Sequence, residues 1–216
     1  MKKTDGKSVA VTIKPPNLKV AVFRIIGTAP YVQCKFSAKA RQIMHDKQAG
    51  GSVSRKGAKR DPKDFQALYE GAMHKLPDGS HGIPAPAFRA AMVSACRIVG
   101  FKMTIAKMSV FILGDGFDPD DATPLVKILK GEPHYTEMPT RNETGVIDLR
   151  PRPMWDVGWE ADLRVQFDAD QFSVTDVANL LMRVGMQVGV GEGRPDSKKS
   201  CGMGWGLFEV SSRKEL

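Results

Sequence analysis

Positively charged side chains are concentrated in one window of the chain. Nine lysines and arginines lie between Lys35 and Lys63, opposed there only by Asp46 and Asp61. The whole chain has a formal net charge of +8, so this window holds all but one of the excess positive charges. Attraction to phosphate scales with local charge, which makes such a cluster typical of a polyanion-binding surface; the alternative is a charged loop that only keeps the protein soluble. The candidate phosphate contacts are Lys35, Lys39, Arg41, Arg55, Lys56, Lys59 and Arg60.

A second candidate phosphate-binding segment is the glycine-rich stretch 188–206, in which six glycines surround a short polar insert. A chain keeps such glycines where φ is positive or where another backbone comes very close. Bare backbone N–H groups flanked by cations suit a phosphate chain. The alternative is a hairpin connection that binds nothing. The residues expected to contribute are Arg194, Lys198, Lys199, Gly202 and Gly204.

The glycine spacing excludes the two familiar nucleotide-binding loops. No G-x-x-x-x-G-K-[ST] string occurs in the chain. Gly189-Val190-Gly191 starts a G-x-G pattern, but Arg194 follows where a dinucleotide loop has glycine, and the stretch comes after a predicted helix instead of before one. We therefore expect neither ATP nor NAD, and no cofactor.

Residues able to do acid–base or metal chemistry are few. None of the four histidines forms the H-x-x-x-H or H-E-x-x-H pattern of metallohydrolases. His45 and Asp46 lie inside the basic window, where a base beside cations could serve RNA cleavage, and they are the candidate catalytic residues. The aspartates of 115–121 miss the spacing of a calcium loop, so they predict an acidic surface turn and no metal site.

Aromatic side chains could stack on bases. Tyr31 and Phe36 flank the start of the basic window and are the base-stacking candidates. Trp155 and Trp159 bracket a predicted turn at Gly158 and are expected to serve packing instead.

Composition limits the class of protein. At 216 residues and 42% hydrophobic content, the chain predicts one domain, 1–216, with a proper core. It has no apolar run long enough for a membrane span and no signal-peptide pattern at its start. Its three cysteines form no C-x-x-C pair, which argues against disulfides and structural zinc and predicts a cytoplasmic location.

The elements that must position these residues form an α+β pattern. Strands are predicted at 18–26, 108–113, 125–129, 146–153, 160–167 and 207–211, and helices at 37–49, 61–73, 86–96 and 173–188, with 131–142 irregular. This order predicts an antiparallel sheet of RRM or ferredoxin-like type with helices on one face and inserted hairpins. Residues 1–17 would form a tail, 35–63 a basic helix-loop insertion and 188–206 the glycine-rich loop.

Three short segments resemble the RAMP superfamily, which includes the backbone subunits of CRISPR effector complexes. Gly82–Ala91, GIPAPAFRAA, is similar to the motif I-P-x-S-S-[LF]-[KR]-G, although Ala87 and Ala90 stand where the motif has a serine and its glycine. Gly202–Phe208, GMGWGLF, resembles the G-x-G-x-[FW]-G loop, and Gly27-Thr28-Ala29-Pro30 resembles the entry motif G-x-x-P. The resemblance implies a modified RRM fold in which the helix bearing Arg89 and the glycine-rich loop grip an RNA backbone.

These features predict a non-catalytic module that binds single-stranded nucleic acid, RNA in the first place, and assembles head to tail along the strand. Other effector-complex subunits are further expected partners, and a phage- or mobile-element-encoded relative fits the pattern. Three alternatives stay open: an endoribonuclease using His45 or Asp46, a phage protein that binds or anneals single-stranded DNA, and a mimic of a CRISPR effector subunit. No membrane partner is expected.

Overall fold

The computed structural model describes residues 13–36, 38–49, 63–141, 147–197 and 203–215. They form an α+β fold with two antiparallel sheets. The strands are β1 (Leu18–Gly27), β2 (Tyr31–Val32), β3 (Gly82–Pro84), β4 (Val110–Leu113), β5 (Gly116–Phe117), β6 (Pro124–Lys130), β7 (Pro133–Arg141), β8 (Ile147–Trp155), β9 (Glu160–Asp168) and β10 (Phe208–Glu215). The helices are α1 (Ala38–Ala49), α2 (Phe65–Glu70), α3 (Ala85–Ala95), α4 (Met103–Ser109) and α5 (Val174–Arg183), and α5 continues as a π-helical turn, Val184–Val188.

The larger sheet has the strand order β10–β1–β9–β6–β3, with β4 also paired to β9 and β5 to β6. The four strands β10, β1, β9 and β6 follow the order of a ferredoxin-like or RRM-like sheet, with α3 before the second and α5 before the last of them in the chain. This confirms the predicted fold class.

Alternation along β1 and β9 explains the core. Phe23 and Ile25 of β1 are fully buried, and Leu163 of β9 is the register partner of Phe23. Because strand side chains point alternately to the two faces, the intervening residues Arg24 and Asp162 lie on the opposite, open face. The buried face is the one that the helices cover.

Helices α3 and α5 supply the other layer of the core. Ser173 caps α5 by accepting the N–H of Asp176, whose carboxylate accepts the N–H of Ser173 in return, a capping box that fixes the start of the helix. The buried residues of α5 recur at helical spacing, as the sequence predicted. On α3, Phe88 is fully buried and meets Phe208 of β10 edge to face at 6.0 Å.

The smaller sheet, β2–β8–β7, is built around a long hairpin, β7 and β8. The prediction that 131–142 is irregular was wrong, since Pro133 and Pro139 lie within β7. β7 is the edge of its sheet, where a residue without an N–H is tolerated. Trp155 at the end of β8 is fully buried, as expected for a packing role.

The remaining elements differ from expectation mainly in length. α1 follows the predicted 37–49, whereas α2 is shorter than 61–73. α4 was not predicted, and it takes up the first two residues of the predicted strand 108–113. The Arg89 guanidinium donates to the Lys107 carbonyl near its end and to the Val110 carbonyl at 3.1 Å. This long-range cap is not visible in the local sequence. The single-domain assignment for 1–216 stays a prediction.

Among the described helices, none combines the length and apolar character that a membrane crossing requires. Residues 13–17 precede β1 without regular structure, and residues 1–12 of the predicted tail lie outside the described range.

Candidate nucleic-acid interface

The described part of the glycine-rich loop is closely packed. Five of its glycines have positive φ, namely Gly189, Gly191, Gly193, Gly204 and Gly206. At Gly206 (φ 71°) a Cβ would lie 1.7 Å from the Val190 carbonyl oxygen, so no other residue fits there. The Val190 N–H donates to the Gly206 carbonyl at 3.0 Å and joins the two limbs of the loop. The described parts of the segment, 188–197 and 203–206, are held against each other in a fixed turn.

The loop lies directly against β2. The Glu192 N–H donates to the Val32 carbonyl at 2.9 Å, and a Cβ on Gly191 would come within 2.5 Å of that same oxygen. The Arg152 guanidinium of β8 forms an ion pair with the Glu192 carboxylate. The residues after β2 lead into α1, so the glycine-rich loop contacts the strand that comes just before the basic window, although about 150 residues separate the two in the chain.

Helix α1 is an exposed part of the basic window. Every side chain described between residues 41 and 49 is exposed, including Ile43 and Met44, which are 46% and 48% exposed. The Arg41 guanidinium donates to the Asp120 carbonyl at 3.1 Å and lies 3.4 Å from the Asp121 carboxylate. α1 also carries Lys39, as predicted, but its side chain is outside the described set.

Lys35 is placed differently from the other cations of the window. Its side chain is 4% exposed, and its Nζ lies 2.8 Å from an Asp118 carboxylate oxygen and 2.6 Å from Asp120. Burial opposes the charged form, but the hydrogen bonds to the two carboxylates outweigh it and raise the pKa of Lys35. This ammonium is committed to an internal network and does not face a ligand, which corrects its expected role as a phosphate contact.

The same network contains a histidine that was not singled out from the sequence as a site residue. His74 Nδ1 lies 2.7 Å from Asp118 Oδ2. Burial acts to raise the pKa of Asp118, but Lys35, the Asp120 N–H and His74 together hold it below its usual range. His74, Asp118 and Asp121 offer ligand atoms within 4.8 Å of one another, a set that could hold a cation. The Lys35 ammonium already supplies positive charge at this place, so the group is an ion-pair network in this structure.

Two predicted side chains make contacts within the fold. Tyr31 is 1% exposed and its ring lies 5.3 Å from that of Trp155, so it has no face for a base; the stacking prediction for Tyr31 was wrong. Arg89 caps α4 and lies over the Phe111 ring at 5.0 Å, where its guanidinium is engaged. Phe36 is 53% exposed beside α1, so stacking on it stays a prediction.

Arg194 is half-buried at the rim of a cleft of about 260 Å³ between α3 and the glycine-rich loop. Its guanidinium donates to the Gly191 carbonyl at 2.9 Å. Across the cleft, Asp196 bonds Ser94 and lies 2.8 Å from Arg97, which ties the loop to α3. Arg194 is the predicted loop cation whose position the structure gives. The other predicted contacts of the two segments, Arg55, Lys56, Lys59, Arg60, Lys198, Lys199 and Gly202, lie outside the described residues.

Arg150 and Arg152 of β8 were not predicted as site residues. They lie two residues apart in a strand, hence on one face. Arg152 pairs with Glu192 of the glycine-rich loop, and Arg150 lies 3.5 Å from Asp148. A signal was available in the sequence, because 146–153 was predicted to be a strand and its arginines alternate.

The candidate catalytic residues are not assembled into a site. His45 Nδ1 and Asp46 Oδ1 lie 3.8 Å apart on exposed α1, where their side chains are 75% and 64% exposed. The Asp46 carboxylate accepts from Gln42 at 2.7 Å, one turn away on the same helix. Neither side chain is held by an element outside α1 among the described contacts.

The open face of the larger sheet is balanced in charge. Arg24 pairs with Asp162 and Glu160, and Lys130 pairs with Glu160 at 3.1 Å. None of the described residues on that face of β1 or β9 is aromatic. The part of this face formed by β1 and β9 therefore lacks both the excess positive charge and the stacking platform that a single nucleic-acid strand requires.

At the level of sequence, the chain matches no family model and no curated protein. Among solved structures it is similar to a chain of the cryo-EM structure of the Type III-B Cmr-beta bound to cognate target RNA, with a TM-score of 0.53 and 8% sequence identity. The match covers 93% of this chain, which spans 61% of the length of that one. The two chains share a fold.

Proposed function

We propose that this protein binds single-stranded RNA along a composite surface formed by α1, the glycine-rich loop and β8. The observation that carries the proposal is the hydrogen bond from the Glu192 N–H to the Val32 carbonyl at 2.9 Å. It ties the glycine-rich loop to the strand that comes just before the basic window, which supports a surface shared by the two segments. On the proposed path, an RNA strand held by the glycine-rich loop continues past Phe36 to α1.

The distribution of charge supports this path over the open sheet face. The window 35–63 holds most of the net positive charge, and Arg194 of the loop adds to it. On the open face, Arg24 and Lys130 are paired with carboxylates. The described arginines of α1 and β8 are paired too, so the excess that favours the composite surface is the one that the sequence gives for the window 35–63. Affinity for a phosphate chain follows the local excess of cations, so the composite surface is favoured.

RNA is the polymer we favour because the structural neighbour belongs to a complex described as bound to target RNA. With an identity of 8%, that likeness concerns the fold, and the choice of polymer is our proposal. We propose binding without cleavage because no described contact from outside α1 orients His45 or Asp46.

Assembly along the strand is a further part of the proposal. One such surface spans only a few nucleotides and has limited affinity alone. Neighbouring copies on the same strand raise the effective concentration of each next contact. A head-to-tail contact that does not close would extend the complex with the length of the RNA.

The test is a binding panel of single- and double-stranded RNA and DNA of matched sequence, measured at two salt concentrations and read alongside particle size and gel analysis of the nucleic acid. We expect single-stranded RNA to bind most tightly, to remain uncut and to give particles that grow with its length. Preference for single-stranded DNA would assign the surface to that polymer. Cleavage products that disappear in His45→Ala would overturn the non-catalytic proposal.

A further inference from the structure

Helix α1 is held to the rest of the described protein at its first turn. Its described side chains from 41 to 49 are exposed, so packing does not fix its direction. The described long-range contacts of α1 are those of Arg41, to the Asp120 carbonyl at 3.1 Å and to the Asp121 carboxylate at 3.4 Å. Both partners belong to the turn 118–121 between β5 and β6, which we call the acidic turn.

Hydrogen bonds within the acidic turn fix its shape. The Asp118 N–H donates to the Thr123 carbonyl at 2.9 Å, and the Asp118 carboxylate accepts the N–H of Asp120 at 2.9 Å. The Asp121 carboxylate accepts the N–H of Thr123 at 3.0 Å. Ala122 has φ 55°, an uncommon value for alanine that these hydrogen bonds hold in place.

The same turn also holds the residue that leads into α1. Lys35 is paired with Asp118 at 2.8 Å and with Asp120 at 2.6 Å. Asp120 binds both side chains, because its carboxylate accepts from Lys35 while its carbonyl accepts from Arg41. Lys35 and Arg41 are both bound to the acidic turn, so the first turn of α1 lies beside it.

We infer that the acidic turn positions α1 for RNA, with Asp121 and Asp118 acting as positioning residues. This inference rests on the proposed function. Three carboxylates beside a phosphate-binding helix weaken binding if charge alone matters, because like charges repel. Their presence is explained if the direction of α1 matters more than charge. That direction decides whether the cations of α1 and those of the glycine-rich loop contact the same RNA strand.

The two effects predict opposite signs for one substitution. Asp121→Asn removes a negative charge, which by electrostatics alone tightens RNA binding. If the turn positions α1, the same change loosens the hold on Arg41 and weakens binding. Asp170→Asn is the matched control: it changes the net charge equally, and Asp170 is exposed and bonded to Asn17, away from α1.

The experiment measures the affinity of the full chain for a fixed single-stranded RNA by fluorescence anisotropy. We expect Asp121→Asn to weaken binding about two- to fivefold, the range of a partly exposed ion pair. Asp170→Asn should leave the affinity unchanged or tighter. Tighter binding by Asp121→Asn than by Asp170→Asn would overturn the inference. It would show that the negative charge of the turn weakens RNA binding.

Hydrogen exchange without RNA gives a second readout. In Asp121→Asn the amides of 42–49 should exchange faster than in the wild type, while those of β9 stay unchanged; equal exchange in α1 would overturn the anchoring role. If the wild type binds no RNA, the proposed function fails and the binding role of the turn fails with it. Exchange in α1 still decides whether the turn anchors the helix.

Discussion

The Val32 carbonyl accepts the N–H of Glu192 at 2.9 Å, and Gly191 lies so close to that oxygen that a Cβ would approach it to 2.5 Å. This hydrogen bond joins a strand near the start of the chain to a loop near its end. It makes the glycine-rich loop part of the same surface as the segment that leads into α1. The proposed path of the RNA depends on this junction.

Substitution of Gly204 tests whether the glycine-rich loop binds RNA, because its effect on binding can be compared with its effect on stability. It has φ 71° with no other residue within 4 Å of an added Cβ, so Gly204→Ala should destabilise the fold by about 1–2 kcal/mol through backbone strain alone. We expect the loss of RNA-binding free energy to exceed this loss of stability, because the strained loop shifts its N–H groups. Gly100→Ala is the control, since Gly100 has φ 69°, is equally open and lies after α3. If both variants bind RNA alike at equal melting temperatures, the loop has no role in binding.

The ring of Phe36 is exposed and that of Tyr31 is buried, so substitutions at the two positions should have different effects. Phe36→Ala should weaken binding by about 1–3 kcal/mol if a base stacks on the ring, with little change in thermal stability. Tyr31→Ala should instead lower the free energy of unfolding by about 3–5 kcal/mol, because it leaves a cavity against Trp155 and Trp159. Affinity and melting temperature measured for both variants check this. An unchanged affinity in Phe36→Ala removes it from the interface.

Much of the fold could be predicted from the sequence, because the signals are local. Alternation in β9 and helical spacing in α5 reflect burial on one face and appear within ten residues. The misses have long-range causes. β7 contains prolines and is a strand only because β8 pairs with it, and α4 ends where Arg89, many residues earlier, caps it.

For the candidate site, the sequence showed which residues could bind phosphate but not which were already engaged. Lys35 looks like its neighbours in the basic window, yet it is buried because the distant Asp118 and Asp120 accept from it. Tyr31 similarly looks available until Trp155 and Trp159 are placed around it. Ion pairs and aromatic contacts between distant segments carry no local signature.

The part of the basic window that holds Arg55, Lys56, Lys59 and Arg60, which we call the basic loop, should account for part of the salt dependence of binding. Replacing Arg55, Lys56, Lys59 and Arg60 by alanine should flatten the slope of log K against log salt by about 0.7 for each single-strand phosphate that the loop no longer neutralises. The control replaces four exposed lysines outside the window, Lys19, Lys75, Lys102 and Lys107. If the first variant keeps the wild-type slope, or if the control flattens it as much, the loop serves solubility only.

Acid should weaken the anchor of α1. The pKa of Asp118 is held below its usual range, so its carboxylate contributes stability that is present above the unfolded value, about 3.9, and is lost as the pH falls through the lower folded value. Chemical denaturation between pH 7 and pH 3 should therefore show a loss below about pH 4 that is smaller in Asp118→Asn.

At pH 7 the same variant should be less stable than the wild type by roughly 3 kcal/mol, because it leaves the buried Lys35 ammonium with one carboxylate fewer. Asp170→Asn serves again as the control for charge. Identical acid profiles for Asp118→Asn and the wild type would contradict the assigned role of Asp118.

The most direct test of the composite surface is photochemical crosslinking of the full chain to a short single-stranded RNA carrying 4-thiouridine, with the crosslinked peptides identified by mass spectrometry. We predict that the same RNA crosslinks to peptides from 36–49 and from 189–206, and that both crosslinks weaken together as salt rises. Crosslinks confined to the open face of β1 and β9, or to one of the two segments alone, would show that the RNA does not follow the composite surface.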